Sequence, residues 1–465
     1  MVSTREKRRR AVGVLLAAMI LILCATPQFR ALVTFPDHVR LTEGTVQEFD
    51  LGLPARASVE PVRSGTLAIN GRQLGDEGTQ VSLGGPVNIA ALQTGQFSVD
   101  FRLFGLIPFR KMKIDVVPQV KLVPGGHSIG VLLRSQGLMV VGYAAVRDAA
   151  GRIHQPAREA GLEPGDAIVK IDGVEVTGEY KAAQLFEEAG RSGRPVTVTV
   201  KRRSRLFTRA LQPVQDGVSG RWRVGLYIRD GAAGIGTLTF YHPGTGRYGA
   251  LGHVIADSQS GDPIEVRDGH IVEAEVVSIQ KGRRQAPGEK MSTFKNADTW
   301  LGSIEKNTRF GIFGSMHTAL KNPLYPNPLP VAMASEVKEG PAEILTVVAG
   351  QRLERYTVEI QRVMRESTAE GKNMILKVTD PRLLERTGGI VQGMSGSPII
   401  QNGRIVGAVT HVFVSDPTRG YGVLIEWMLQ DAGVIGQRTG MSFGGENPPG
   451  LIAAISSGGQ GADRW

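Results

Sequence analysis

The sequence predicts a mainly-β chain behind an N-terminal membrane anchor. Three observations carry that expectation. Short apolar–polar alternations bounded by Gly and Pro recur from about residue 35 onward. The 465 residues include 60 Gly and 25 Pro without a G-X-Y period, which excludes a collagen-like chain and fits many tight turns. Aromatics make up only 6%, so the cores must be built from Val, Ile, Leu and Ala. With 41% hydrophobic and 21% charged residues the bulk of the chain is not disordered. The length fits roughly two to four domains.

The first 30 residues set the compartment. Arg5, Lys7, Arg8, Arg9 and Arg10, against Glu6, supply +4 of the net charge of +10. Ala11–Thr26 follows, sixteen residues without a charge, and reads as a secretory signal or a signal anchor. The poor small-x-small site near Cys24-Ala25-Thr26 favours an uncleaved anchor. Basic residues on its N-terminal side place that end in the cytoplasm and everything after residue 30 outside it. A second basic run, Lys201-Arg202-Arg203-Ser204-Arg205, is short, and no aromatic-rich basic motif accompanies either run. Nucleic acid is therefore not an expected partner, and a solvated face or a lipid-surface contact is. The single cysteine, Cys24, excludes an intrachain disulfide. CxxC and HExxH motifs are absent, so neither a metal nor another cofactor is expected.

Residues 31–117 read as a small β domain. Its runs are Val46–Leu51, Thr66–Ile69, Gln96–Phe101 and Met112–Val116, without a catalytic constellation. Residues 118–213 have another texture. An apolar strand starts at Ser128-Ile129-Gly130-Val131. Then come a helix-like turn ending at Gly161, a Pro164-Gly165 turn, a strand closed by Asp172-Gly173, and an amphipathic segment over 180–189. The strand Pro195–Lys201 follows. This stretch resembles a PDZ domain, most specifically in AGLEPGDAIVKIDGVEV. In that family a loop of backbone N–H groups caps a peptide C-terminus while the peptide adds a strand. The resemblance puts that loop at Ser128, Ile129 and Gly130. The usual Gly-aromatic-Gly-aromatic loop is altered, so an internal segment or the chain's own tail is as good a ligand as a free C-terminus. The plainer alternative is a module that only orients its neighbours.

The chemistry lies in 214–437, ahead of a Gly-rich tail over 438–465. Gly393-Met394-Ser395-Gly396-Ser397-Pro398 sets a Ser between glycines before a buried strand. This matches the nucleophile loop of chymotrypsin-like peptidases, a β-barrel fold. Glycines allow the sharp turn that brings the N–H groups of Gly393 and Ser395 together as an oxyanion hole. Asn402-Gly403 is a strong hairpin signal joining Pro398–Gln401 to Ile405–Thr410, and a helix-like stretch from Ile425 to Ala432 closes the order. Ser397 is expected to make only a local hydrogen bond. Among eight histidines His253, in Ala250-Leu251-Gly252-His253-Val254-Ile255, stands at a strand end with small apolar flanks. His242 and His270 lie beside turn residues and read as surface. For a third member the residues leave Asp380, Asp257 and Asp262 open. Asp380-Pro381 also reads as a helix N-cap with Pro at the first helical position.

Anchor, PDZ-like module, ALGHVI and GGIVQGMSGSPIIQNGRIVGAVTH together resemble the SpoIVB peptidase (S55) family, over most of 118–435. The resemblance implies a membrane-anchored serine endopeptidase of an endospore-former, working between the forespore and mother-cell membranes. It would cleave itself and a regulator of an intramembrane metalloprotease, leading to pro-sigma-factor processing. It maps the triad onto His253, Asp380 and Ser395. Met394 stands where trypsin-like enzymes carry Asp, so a new N-terminus has no carboxylate to pair with there. The PDZ-like module is then the expected switch. The rival expectations are a non-catalytic PDZ adaptor and a general extracytoplasmic stress protease, although in the latter the peptidase normally precedes the PDZ.

Overall fold

The computed structural model describes scattered positions between 13 and 26 and most of 37–436. The exceptions in the second range are 50–54, 60–66, 74–78, 83–86, 104–105, 177, 203–204, 258–260 and 366–370. The expected anchor over 11–26 lies largely outside the described residues, and the tail over 438–465 lies wholly outside them. No helix among the described residues is long and apolar enough to cross a membrane.

The chain divides into two compact units, Met1–Val120 with Ala332–Val337, and Lys121–Val331 with Lys338–Trp465. The first has two sheets, of five and four strands. Its strands include Val46–Phe49, Leu67–Ile69, Gly95–Leu103 and Ile107–Val117, where the alternation places them. Their inward residues form one core around Leu41, Leu67, Met112 and Ile114.

The second unit holds two β-barrels and the PDZ-like module. The first barrel is a closed ring of six strands. These are β1 (Ser128–Tyr143), β5 (Leu226–Tyr241), β6 (Arg247–Ala250), β7 (Val266–Gln280), β8 (Glu289–Thr308) and β9 (Gly311–Met316). The ring runs β1-β7-β8-β9-β6-β5 and closes through β1–β5 pairing. Between β1 and β5 lie β2 (Ala167–Ile171), α1 (Glu179–Arg191), β3 (Val196–Arg202) and β4 (Arg205–Leu211).

β1 and β5 belong to both bodies. Ser128–Arg134 pair with Thr237–Gly231 inside the barrel, the register shifts, and Met139–Tyr143 pair with Arg229–Leu226 inside the PDZ-like module. Leu138 and Ile228 sit in the module's core with Ile168, Phe186 and Val198, while Ile129, Leu133 and Leu238 sit in the barrel's. The module is thus inserted into the barrel's first hairpin. The first barrel includes β1, ahead of the module, as well as β5 after it. Within the module the expected turns stand where predicted. Asp172 and Gly173 adopt φ of 49° and 79° between β2 and the short strand Val174–Glu175. Asp166 is buried because Arg202 Nε binds Oδ1 at 2.6 Å. Lys201 pairs with Glu265. These two residues of the basic run are therefore committed to ion pairs within the fold.

The second barrel closes in the order β10 (Gly340–Val347), β11 (Leu353–Val363), β12 (Met374–Val378), β15 (Asp416–Leu424), β14 (Arg404–Phe413), β13 (Pro398–Gln401). Helix α2 (Pro381–Thr387) follows β12, and α3 (Ile425–Asp431) follows β15. Asn402 and Gly403, at φ of 51° and 71°, make the expected hairpin between β13 and β14. Replacing residues 136–229 by Asn-Gly should leave a peptidase body that unfolds cooperatively, since the barrel part of the β1–β5 ladder is untouched. Loss of a cooperative melt by calorimetry would contradict the insertion.

Candidate active site

The nucleophile loop connects α2 to β13 and is held from the first barrel. Thr237 Oγ1 donates to the Gly393 carbonyl at 2.7 Å, Thr237 N–H to the Ser395 carbonyl at 2.9 Å, and Thr239 Oγ1 to the Gly396 carbonyl at 2.8 Å. Both threonines are fully buried on β5. Gly396 has to be glycine: its φ is 92°, and a Cβ there would lie 2.0 Å from the Thr237 carbonyl oxygen.

Two further bonds orient the oxyanion donors. Lys290 N–H binds the Gln392 carbonyl at 3.0 Å, and Ser397 N–H binds the Met394 carbonyl at 2.9 Å. A trans peptide points its N–H opposite to its C=O. The N–H groups of Gly393 and Ser395 are therefore turned away from these contacts, and neither meets an acceptor among the described residues. That is the arrangement expected of an oxyanion hole. Ser395 is half-buried and within reach of solvent, whereas Ser397 is 0% exposed. Ser397 Oγ has no partner, so the expected local hydrogen bond is not made.

His253 follows β6 after Leu251 and Gly252, whose φ of 69° and 73° turn the chain off the strand. This turn packs on the second barrel and the loop. A Cβ at Gly252 would meet Thr410 Cγ2 at 2.9 Å, and one at Gly396 would meet Leu251 N at 2.5 Å. His253 Nδ1 lies 2.9 Å from the Val254 carbonyl oxygen. A carbonyl only accepts, so Nδ1 carries the proton and Nε2 keeps its lone pair, as a general base requires. Burial lowers the imidazole pKa, partly opposed by the Val254 carbonyl, so the ring is neutral at pH 7. No hydrogen bond joins Ser395 Oγ to His253, and such contacts often tighten only with substrate bound.

Asp380 is not brought to His253. It caps α2: Oδ1 accepts from Arg382 N–H at 2.9 Å, and Arg382 Nη2 binds Oδ2 at 2.8 Å. Thr357 N–H adds a contact to Oδ2 at 3.3 Å. The Arg382 guanidinium, with these backbone donors, holds its pKa below the usual carboxylate range. The helix-cap reading prevails because both oxygens are engaged locally. Asp257 and Asp262 close a turn through Asp257 N–H to the Asp262 carbonyl at 2.9 Å, and neither bonds His253. The ring beside His253 is His411 on β14, with centroids 5.1 Å apart. Burial, with His253 and Lys372 nearby, pushes His411 down to about 3, which keeps it neutral. The residue pattern carried no signal for His411, Thr237 or Thr239. His242 binds Thr245 in a turn, and His270 stacks on Trp300 at 3.6 Å, away from the loop.

Ser128, Ile129 and Gly130 do not form a carboxylate loop. They lie on β1 inside the barrel, where Ile129 and Gly130 are paired with β5 on one side and β7 on the other. Strand continuity hid this, because the sequence shows a strand but not its partners. Ser128 Oγ and His127 Nδ1, both buried without a partner, border a cavity of about 290 Å³ that Leu238 and Val347 line from the two barrels. Among the described residues no cluster of His, Cys, Asp or Glu could hold a metal ion.

Residues 220–429 match the family described as SpoIVB peptidase S55, and residues 148–202 match a PDZ domain. A putative zinc metalloprotease of Clostridium perfringens is 31% identical over 90 residues, 19% of this chain. The chain spans a quarter of that relative's length. The PDZ domain of the SdrC-like protein of Listeria monocytogenes is 20% identical, covering 20% of this chain and 90% of that one, with a TM-score of 0.17. The active form of the Rv3671c protease of M. tuberculosis is 18% identical, covering 43% of this chain and 75% of that one, with a TM-score of 0.25. Scores this low carry no weight for the assignment. The family match does: residues 220–429 carry a SpoIVB-type S55 peptidase domain and residues 148–202 a PDZ domain.

The two serines separate by burial. Ser395→Ala should abolish labelling by a fluorophosphonate with an unchanged melting temperature. Ser397→Ala should keep labelling and leave stability unchanged or raised by up to about 1 kcal/mol, because a buried hydroxyl without a partner is removed. A marked loss of stability in Ser397→Ala would contradict this. The acid limb of the labelling rate should titrate below 6.5, the ordinary histidine value, because burial disfavours the charged ring. A limb above 6.5 in a rate–pH profile would count against His253 as the base.

Proposed function

We infer from the SpoIVB-type S55 peptidase domain of this chain that it is a membrane-tethered serine endopeptidase of endospore formation. Its site lies outside the cytoplasm, between the forespore and mother-cell membranes. It cleaves itself within its N-terminal region and cleaves a regulator that restrains an intramembrane metalloprotease, which then processes a pro-sigma factor. What supports the tether is the basic run followed by the uncharged Ala11–Thr26. What supports the substrates is the family resemblance.

The chemistry rests on one observation. A solvent-reachable Ser395 stands beside two backbone N–H groups without acceptors, while the carbonyls around them are bound from β5. Ser395 Oγ adds to the scissile carbonyl carbon as its proton passes to His253 Nε2. The carbonyl oxygen, now negative, is met by Gly393 and Ser395 N–H. The imidazolium returns the proton to the departing amine as the C–N bond breaks, and an ester to Ser395 remains. Water, deprotonated by the same nitrogen, then releases the acid and regenerates the serine. The Val254 carbonyl accepts from Nδ1–H throughout and fixes the tautomer.

A fluorophosphonate adduct on purified chain should map to the peptide carrying Ser395. In a sporulating host, Ser395→Ala should block both self-cleavage and pro-sigma processing. An adduct at another residue would overturn the chemical reading. Normal sigma processing in the Ser395→Ala strain would overturn only the biological one.

A further inference from the structure

Beneath the oxyanion loop lies a charge that the mechanism does not use. Lys290, on β8, is 1% exposed, and its stem runs directly under Gly393. A Cβ at position 393 would stand 3.1, 3.2 and 3.3 Å from Lys290 Cβ, Cδ and Cγ. Its Nζ donates to Thr346 Oγ1 on β10 at 2.8 Å, and no carboxylate among the described residues pairs with it. Removing an ammonium from water without a counter-charge is costly, and apolar replacements at such sites commonly stabilise a fold. A lysine kept there calls for another reason.

The surroundings supply one. The residue before the nucleophile is Met394, fully buried and without charge, so no carboxylate sits under the loop to organise it. Lys290 N–H already holds the Gln392 carbonyl inward, which turns Gly393 N–H outward. The stem of the same residue packs against Gly393, and its ammonium lies beyond, on Thr346 Oγ1, in a water-poor interior where charge acts strongly. Negative charge that develops on a substrate oxygen at Gly393 N–H would be stabilised by that ammonium.

We propose that Lys290 is the positioning residue of the oxyanion hole, its stem seating Gly393 and its buried ammonium favouring the oxyanion. This deepens the serine-peptidase reading and rests on it. The role takes the place of a new N-terminus paired with a carboxylate beside the serine. The two oxyanion donors are therefore turned outward without a new N-terminus.

Burial pushes the Lys290 pKa down to about 7, so the side chain is a full cation only below that pH. The full chain should be labelled with a fluorophosphonate in three forms, wild type, Lys290→Met and Lys290→Ala, resolving kinact from KI. Lys290→Met keeps the stem and removes the charge. Its kinact should fall about tenfold or more, KI should stay within about twofold, and its Tm should rise. Lys290→Ala should lose both kinact and Tm. A Lys290→Met variant with wild-type kinact would overturn the proposal, as would one whose lost rate comes with a lowered Tm, the mark of a purely structural role. Failure of wild type to label at Ser395 would instead overturn the peptidase reading, and the proposal with it.

Discussion

The hold of β5 on the nucleophile loop is the constraint on which the site depends. Three carbonyls, of Gly393, Ser395 and Gly396, point into a fully buried wall supplied by Thr237 and Thr239. A buried carbonyl without a donor would be costly, so the wall fixes which way each peptide faces. The Gly393 and Ser395 N–H groups belong to the peptides whose carbonyls, of Gln392 and Met394, are held by Lys290 N–H and Ser397 N–H, and planarity sends those two donors the other way. The first barrel thus anchors the loop through β5 and turns Gly393 N–H through Lys290 on β8, whereas Ser395 N–H is turned by a bond within the loop. The loop sequence is thus necessary for the site but not sufficient.

Among the described residues no carboxylate is bonded to the His253 ring. His253 is oriented by a backbone carbonyl rather than a carboxylate, and its aromatic neighbour His411 is itself held neutral by burial. A carbonyl fixes the tautomer as well as a carboxylate does, but it stabilises an imidazolium less. The nearby polar groups follow the same pattern. Ser397 Oγ, Thr410 Oγ1 and His411 Nδ1 are all buried without partners. Such groups are tolerated where shape matters more than stability.

Local patterns were legible in the sequence wherever the backbone alone determines them. The Gly393–Pro398 loop, the Asn402-Gly403 turn and the Asp172-Gly173 turn each rest on left-handed residues that name themselves. The terminal helix and the PDZ string were legible for the same reason. Pairings between distant segments were not. Ser128–Gly130 read as a PDZ loop because the strand is continuous from one body into the other, and only the register reveals two sets of partners. Asp380 reads both as a cap and, by resemblance, as a triad member; the cap is what the structure displays, with Arg382 two residues along bonded to both carboxylate oxygens. Lys290 had no signal at all, since a lysine in an alternating strand reads as solvent-facing.

The inserted module also has a consequence for how the chain folds. The ladder that carries Thr237 joins Ser128 to a partner roughly a hundred residues away, a closure with a substantial entropic cost if attempted on an open chain. The module's own contacts are far more local, and its strands Leu138–Tyr143 and Leu226–Ile228 are the continuations of that same ladder. Once the module has condensed, the two ends of the barrel's first hairpin emerge side by side, one register shift away from the barrel part of the ladder. Zippering from Arg134–Gly231 toward Ser128–Thr237 then needs only one step per residue. The contact order alone therefore favours a folding route in which the module closes first and brings the ends of the barrel hairpin together.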